Sequence, residues 1–83
     1  GEYVLVTEGN LRWGDLLLWK RDGQPIHVGV FFADGLILHK KGETRPIAIE
    51  PVLYATEFYT ERSQPRRSGE PPTFEVSAWR ARY

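Results

Sequence analysis

The 83-residue chain contains no cysteine. That absence excludes a disulfide, a thiolate metal site and a cysteine nucleophile within these residues, and it removes the usual marker of redox compartment. Histidine is nearly as scarce, with His27 and His39 the only two. An excess of one charge is also missing, because 11 Lys and Arg balance 11 Asp and Glu. No global field therefore points to nucleic acid or to an anionic membrane as a partner. The longest apolar runs are far too short to span a bilayer, so no transmembrane segment is expected, and the first residues lack the basic and apolar regions of a signal peptide. No phosphate-binding loop or metal signature is present, and no cofactor is expected.

What the chain does have is aromatic residues: three Trp, four Tyr and four Phe. These bury much area per residue and make a compact fold credible at a length where the core is otherwise thin. The whole of residues 1–83 is read as a single domain. Because the chain begins with Gly1 rather than Met, it is expected to be a processed or excised piece of something longer.

Tyr3 to Val6 are β-formers followed by the turn-like Glu8-Gly9-Asn10, which predicts a short first strand at a sheet edge. Asp15 to Lys20 is an apolar run too short for a helix and reads as a strand buried on both faces. Arg21 to Pro25 is a polar turn. Ile26 to Phe32 is the most strand-like segment, with Val28, Val30 and Phe32 on one face and His27, Gly29 and Phe31 on the other. Ala33-Asp34-Gly35 suits a three-residue hairpin loop closed by a left-handed glycine, and Leu36 to His39 is the return strand. Ile47 to Ile49 predicts another strand. Pro51 as first residue and a stripe of Val52, Leu53, Ala55, Thr56 and Tyr59 predict a short helix over 51–60. Three prolines and Gly69 mark 61–72 as a surface loop, and the alternation from Thr73 to Arg82 closes the chain as a strand. The pattern predicts a mainly β (α+β) fold: five to six strands in a small, strongly bent antiparallel sheet or an SH3-like barrel, with one short helix.

The hairpin geometry decides whether the histidines meet. A loop of residues 33 to 35 places His39 opposite Gly29, on the face that also carries His27, so the two are diagonal neighbours roughly 7–8 Å apart at the backbone. A two-residue Asp34-Gly35 loop would instead put them on opposite faces, so the claim rests on the loop length. Two imidazoles in contact suit three roles: a general base whose tautomer the other holds, a pair of metal ligands, or satisfied polar residues in a half-buried sheet. Metal binding needs a third ligand, and Asp15, Asp34 and Glu50 have no telling spacing for it.

Gly14-Asp15-Leu16-Leu17-Leu18-Trp19, then His27-Val28-Gly29-Val30-Phe31-Phe32, then Asp34-Gly35 and His39 resemble, in order and spacing, the C-terminal half of the NlpC-like cell-wall peptidases, a papain-like cysteine peptidase family. The closing Ser77 to Arg82 resembles the family's last strand, so the likeness runs from about Leu11 to the end. The resemblance implies the β-subdomain of a papain-like domain, with His27 and His39 as the catalytic residues: His27 the general base and His39 the residue that orients its imidazole. It implies Gly29, Asp15 and Phe31 as cleft residues, with Gly29 keeping the cleft open. It further implies hydrolysis of an amide in a peptidoglycan stem peptide through an acyl-enzyme, and a bacterial cell envelope or secreted setting.

The family's nucleophile is a Cys at the start of a helix that precedes everything seen here, and this chain has none. Activity by this mechanism then requires a Cys-bearing N-terminal segment or partner chain. Ser63, Ser68, Ser77, Thr7 and Thr44 offer hydroxyls, but in loops or a closing strand rather than at a helix start. The lecithin:retinol acyltransferase-like group shares the strand and histidine pattern with its Cys placed later, and residues 61–83 hold no Cys for that reading either. Two further readings stay open: a non-catalytic pseudo-enzyme that binds peptide in the same cleft, and an assembly domain of a phage tail or toxin.

Other features have plainer explanations. Arg62, Arg66 and Arg67 with Lys40 and Lys41 form a candidate patch for phosphate polymers, though interspersed acids favour a solvated loop face. Trp13, Trp19, Trp79 and the tyrosines are expected to supply core rather than to stack on sugars or bases. Asp15 also suits a residue that bonds backbone amides where the strand begins.

Overall fold

The structure, a computed structural model, describes residues 2–7, 9–40, 42–62 and 68–82. Its elements are β1 (Glu2–Val6), β2 (Leu16–Arg21), β3 (Gln24–Ala33), β4 (Leu36–Lys40), β5 (Ile47–Pro51), α1 (Val52–Arg62) and β6 (Phe74–Arg82). The six strands pair antiparallel in one sheet of order β1-β6-β2-β3-β4-β5. The fold is mainly β with one short helix, as the sequence pattern predicts. The barrel alternative is corrected: β1 and β5 stand at opposite ends of an open sheet. The helix covers one face and takes the place that the strands of a small barrel would fill with their own interior side chains.

The meander β2-β3-β4-β5 is built on two tight turns. Asp22-Gly23 has φ of 50° and 79° and Asp34-Gly35 has 51° and 75°. Two successive left-handed residues form the mirror-image turn whose twist matches that of a hairpin, and Asp-Gly is a preferred pair for it. The 33–35 loop is therefore corrected to two residues, with Ala33 opposite Leu36. The ladder then shifts at Phe32, because Phe31 pairs with Ile37 and Val30 with Leu38. A second shift falls at Ile26, since Trp19 faces His27 while Lys20 faces Pro25. Pro25 has no N–H to give a regular ladder, which suits its place beside a bulge. The two bulges bracket the five residues from His27 to Phe31.

The helix begins one residue later than its sequence signal and ends two later. Pro51 is the last residue of β5, and the Val52 N–H donates to the Gly35 carbonyl at 2.8 Å. This bond fastens the helix to the Asp34-Gly35 turn. Val52, Ala55, Thr56 and Tyr59 recur at helical spacing and face the sheet, whereas Leu53 points to solvent. The core lies between helix and sheet and consists of Leu17, Trp19, Ile37 and Ala55, with Leu11, Phe31, Val52 and Ala78 packed against it. Of the tryptophans only Trp19 is core. Trp13, in the turn before β2, is 73% exposed. Tyr3 and Tyr54 are exposed as well. Of the 61–72 loop, residues 63–67 lie outside the described residues.

Candidate functional site

The helix-covered face of the sheet carries a row of hydrogen-bonded polar side chains. Past the Phe32 bulge the ladder restores the register that places Gly29 opposite His39, and a Cβ built on Gly29 would lie 3.4 Å from the His39 Cβ. His27 and His39 are then diagonal neighbours on one face, and His27 Nε2 lies 2.8 Å from His39 Nδ1. The rings meet edge to face, with centroids 5.0 Å apart.

Two residues extend the pair at its ends. Glu50, two positions along β5 from the residue opposite His39, sets Oε2 3.2 Å from His39 Nε2. Tyr59, on the sheet-facing stripe of α1, sets its hydroxyl 3.0 Å from His27 Nδ1 and stacks on that ring at 4.4 Å. Trp19, opposite His27 on β2, closes the third side at 5.2 Å between centroids. Its indole N–H donates to Thr56, which donates in turn to the Val52 carbonyl.

A carboxylate at Glu50 can only accept, so His39 Nε2–H donates to it, and with His39 neutral the remaining directions follow. His39 Nε2–H donates to Glu50, His39 Nδ1 accepts from His27 Nε2–H, and His27 Nδ1 accepts from the Tyr59 O–H. His27 is neutral in this arrangement. The environment agrees. Burial beneath Tyr59 and Trp19, then the adjacent His39, press the His27 pKa down from 6.5 to about 4. Burial, then the nearby Glu50 carboxylate, raise that of the Tyr59 phenol, which keeps it a donor.

The expected cleft residues fall in other places. Gly29 is buried, and the space its missing side chain leaves is occupied by Ile37, whose Cδ1 would stand 3.3 Å from a Cβ there, and by His39. Phe31 lies on the histidine face but packs on the core beneath the helix. Asp15 is buried where β2 begins. It accepts from the Arg12 N–H at 2.8 Å, and from Arg80 Nε at 2.9 Å and Nη2 at 2.8 Å. Arg80 Nη2 also donates to the Asn10 carbonyl. The forked Arg80 contact, aided by the Arg12 amide, holds the Asp15 pKa below its usual value. Asp15 therefore ties the loop before β2 to β6, which matches its amide-bonding reading. Gly14, at φ 92°, makes the sharp turn that aims it there.

Among the candidate hydroxyls, Ser77 accepts from the Trp79 indole and Thr7 from the Asn10 side-chain amide. Ser63 lies outside the described residues. So do Lys41, Arg66 and Arg67 of the basic patch, whose Arg62 side chain is likewise not described. An apolar groove of about 460 Å³ lies on the same sheet face toward β1 and β6, lined by Val6, Leu11, Leu17, Val52 and Val76 among others, and holds neither histidine. Trp19 separates the two, because it faces Val76 on one side and His27 on the other. Among the described residues no group of three His, Cys, Asp or Glu is placed to hold a metal ion, and both ring nitrogens of His39 are engaged within the row. No helix among them is long and apolar enough to cross a membrane.

Comparison of the chain with family models, curated proteins and solved structures finds no match.

Sequence reasoning did not single out Glu50 and Tyr59 as parts of a histidine row. Glu50 had a readable signal, since it stands two residues beyond the partner of His39 on the next strand. Tyr59 had none before the helix was oriented.

Proposed function

We infer that this chain is the base-bearing half of a cysteine-type amidase or peptidase resembling the NlpC-like family, completed by a Cys from another segment or a partner chain. The observation that carries the reading is the one-way row Tyr59–His27–His39–Glu50. It leaves a neutral His27 with its lone pair on Nδ1 and its proton on Nε2, backed by a second imidazole and a carboxylate. That is the arrangement of a general base with an orienting group behind it. A thiol reaching Nδ1 in place of the Tyr59 hydroxyl would transfer its proton there, and the adjacent thiolate would raise the low His27 pKa. His39 and Glu50 would hold the ring in place and spread the new positive charge. The substrate class is an amide such as that of a peptidoglycan stem peptide, as the resemblance implies.

The test is made on the protein as its source produces it, with whatever chain accompanies it. Stem-peptide amidase activity is expected, blocked by thiol alkylation and lost in His27→Gln with the fold intact by circular dichroism. Activity that survives either treatment, or a native product with no such activity, overturns the reading.

The Tyr59 hydroxyl on the base nitrogen, together with the lack of Cys, favours a second reading: a non-catalytic domain that binds peptide without cutting it. Titration with stem peptides would then shift the ring signals of His27 and His39 in this chain alone, and an unchanged spectrum at millimolar peptide rejects it.

A further inference from the structure

The sheet face away from the helix is apolar and, among the described residues, uncovered. Leu5, Trp79, Leu16, Val30, Leu38 and Ile49 each stand directly opposite the next, one from every strand, and form an unbroken row across the sheet. Leu18 and Val28 form a second pair beside it. Leu5 is 62% exposed, Ile49 53% and Val28 50%. By contrast, the buried hydrophobics among the described residues are Val6, Leu17, Trp19, Ile37 and Ala55. The open face thus carries an apolar set as large as the core with the residues packed on it, and a contiguous patch of this kind marks an interaction surface.

We propose that this face is a homodimer interface, in which two copies pack sheet on sheet about 10 Å apart. Three observations favour a second copy as the occupant. The first is area. Six strands about 4.8 Å apart and five residues long give a face of about 500 Å² in projection. Two such faces, with side-chain relief, bury on the order of 1,000–1,500 Å² in total, which reaches the range of stable specific interfaces. The second is charge. The row itself carries none; at its margin Lys20 lies 4.0 Å from Glu75, and Lys40 stands at the exposed end of β4. A chain of zero net charge also does not repel itself. The third is the thin core, because a domain of this length gains stability from covering its second face. The proposal is independent of the histidine chemistry, which lies on the opposite face.

Sedimentation of the purified chain at micromolar to millimolar concentration is expected to give twice the chain mass, with a thermal midpoint that rises with concentration. Leu38→Lys with Val28→Lys places two charges in the interface and is expected to give a monomer, whereas Leu53→Lys on the exposed side of α1 is expected to leave the dimer intact. Should the double variant fail to fold, a mixture of isotope-labelled and unlabelled wild-type copies decides the matter. Intermolecular methyl contacts among Leu16, Val30 and Leu38 support the proposal. A monomer throughout the range overturns it in favour of a partner of other chemistry, and a dimer that ignores both lysines or lacks those contacts overturns it in favour of another surface.

Discussion

Acid is expected to weaken this fold through His27 before it reaches the carboxylates. In the native state the ring stays neutral down to about pH 4, whereas in the unfolded chain it takes up a proton near 6.5. Its native pKa is the lower one, so above 6.5 neither state is charged and His27 adds no pH dependence. Between 6.5 and 4 only the unfolded state is protonated, and stability falls as the pH falls. Undiminished, a displacement of that size is worth about 3 kcal/mol, but the ring is only half-buried and solvent screening reduces it to ~1–2 kcal/mol. Urea denaturation read by tryptophan fluorescence at pH 7 and pH 5 should show about 1 kcal/mol of this loss, and His27→Gln should abolish that part of the slope. The Asp15 window is separate: its pKa is lowered below 3.8, so its stabilisation is present above that value and disappears only under more acidic conditions. Ring-nitrogen NMR provides the direct check. A His27 that titrates between pH 6 and 7, or that carries its proton on Nδ1 at neutral pH, would refute both the burial argument and the bond directions drawn from it.

Tyr59→Phe removes a donor to the neutral ring but keeps its burial, so the pKa of His27 should rise while staying below 6.5, and stability should fall by about 1–2 kcal/mol, both readable in the same titrations. Asp15→Asn leaves the Arg80 fork facing a neutral amide and is expected to cost about 2–4 kcal/mol, a fall of at least 10 °C or so in thermal midpoint by calorimetry. Gly29→Ala sets a Cβ 3.3 Å from Ile37 and 3.4 Å from His39, and should cost about 1 kcal/mol while disturbing the His27–His39 bond, seen as a change in ring-nitrogen shifts. Gly35→Ala meets no neighbour within 4 Å, so its cost of about 1 kcal/mol in denaturation comes from φ +75° alone.

Much of the fold was legible because the strands are short apolar or alternating runs separated by turn residues. The hairpin at Asp34-Gly35 shows where such reading stops. A three-residue loop gives the same facing of His27 and His39 as a two-residue turn followed by a one-residue bulge at Phe32, since each inserts one residue on the β3 side. Counting residues can therefore find the shared face without finding the turn. Choosing between the two depends on backbone twist, and here the Asp-Gly preference for paired left-handed angles decides it. Openness of the sheet was not legible in the same way. Barrel and sheet share strand count and alternation, and differ in whether the edge strands β1 and β5 pair.

The site was half legible for a related reason. His27 and His39 are joined by one hairpin, so local register suffices to bring them together. Glu50 enters through the next strand and Tyr59 through a helix lying across the sheet, and each additional element adds an orientation that spacing does not fix. Yet these two residues give the pair its chemistry. Without Glu50 either nitrogen of His39 could carry the proton, and without Tyr59 the base nitrogen of His27 would face solvent or a ligand. With both in place the row has one direction, and the nitrogen at which a nucleophile would act already holds the phenol. On the proposed function a thiol from outside this chain would have to displace Tyr59, and because Tyr59 is carried on α1, whose first amide is bonded to the Gly35 carbonyl, the hairpin that presents the histidines also anchors the helix that covers them.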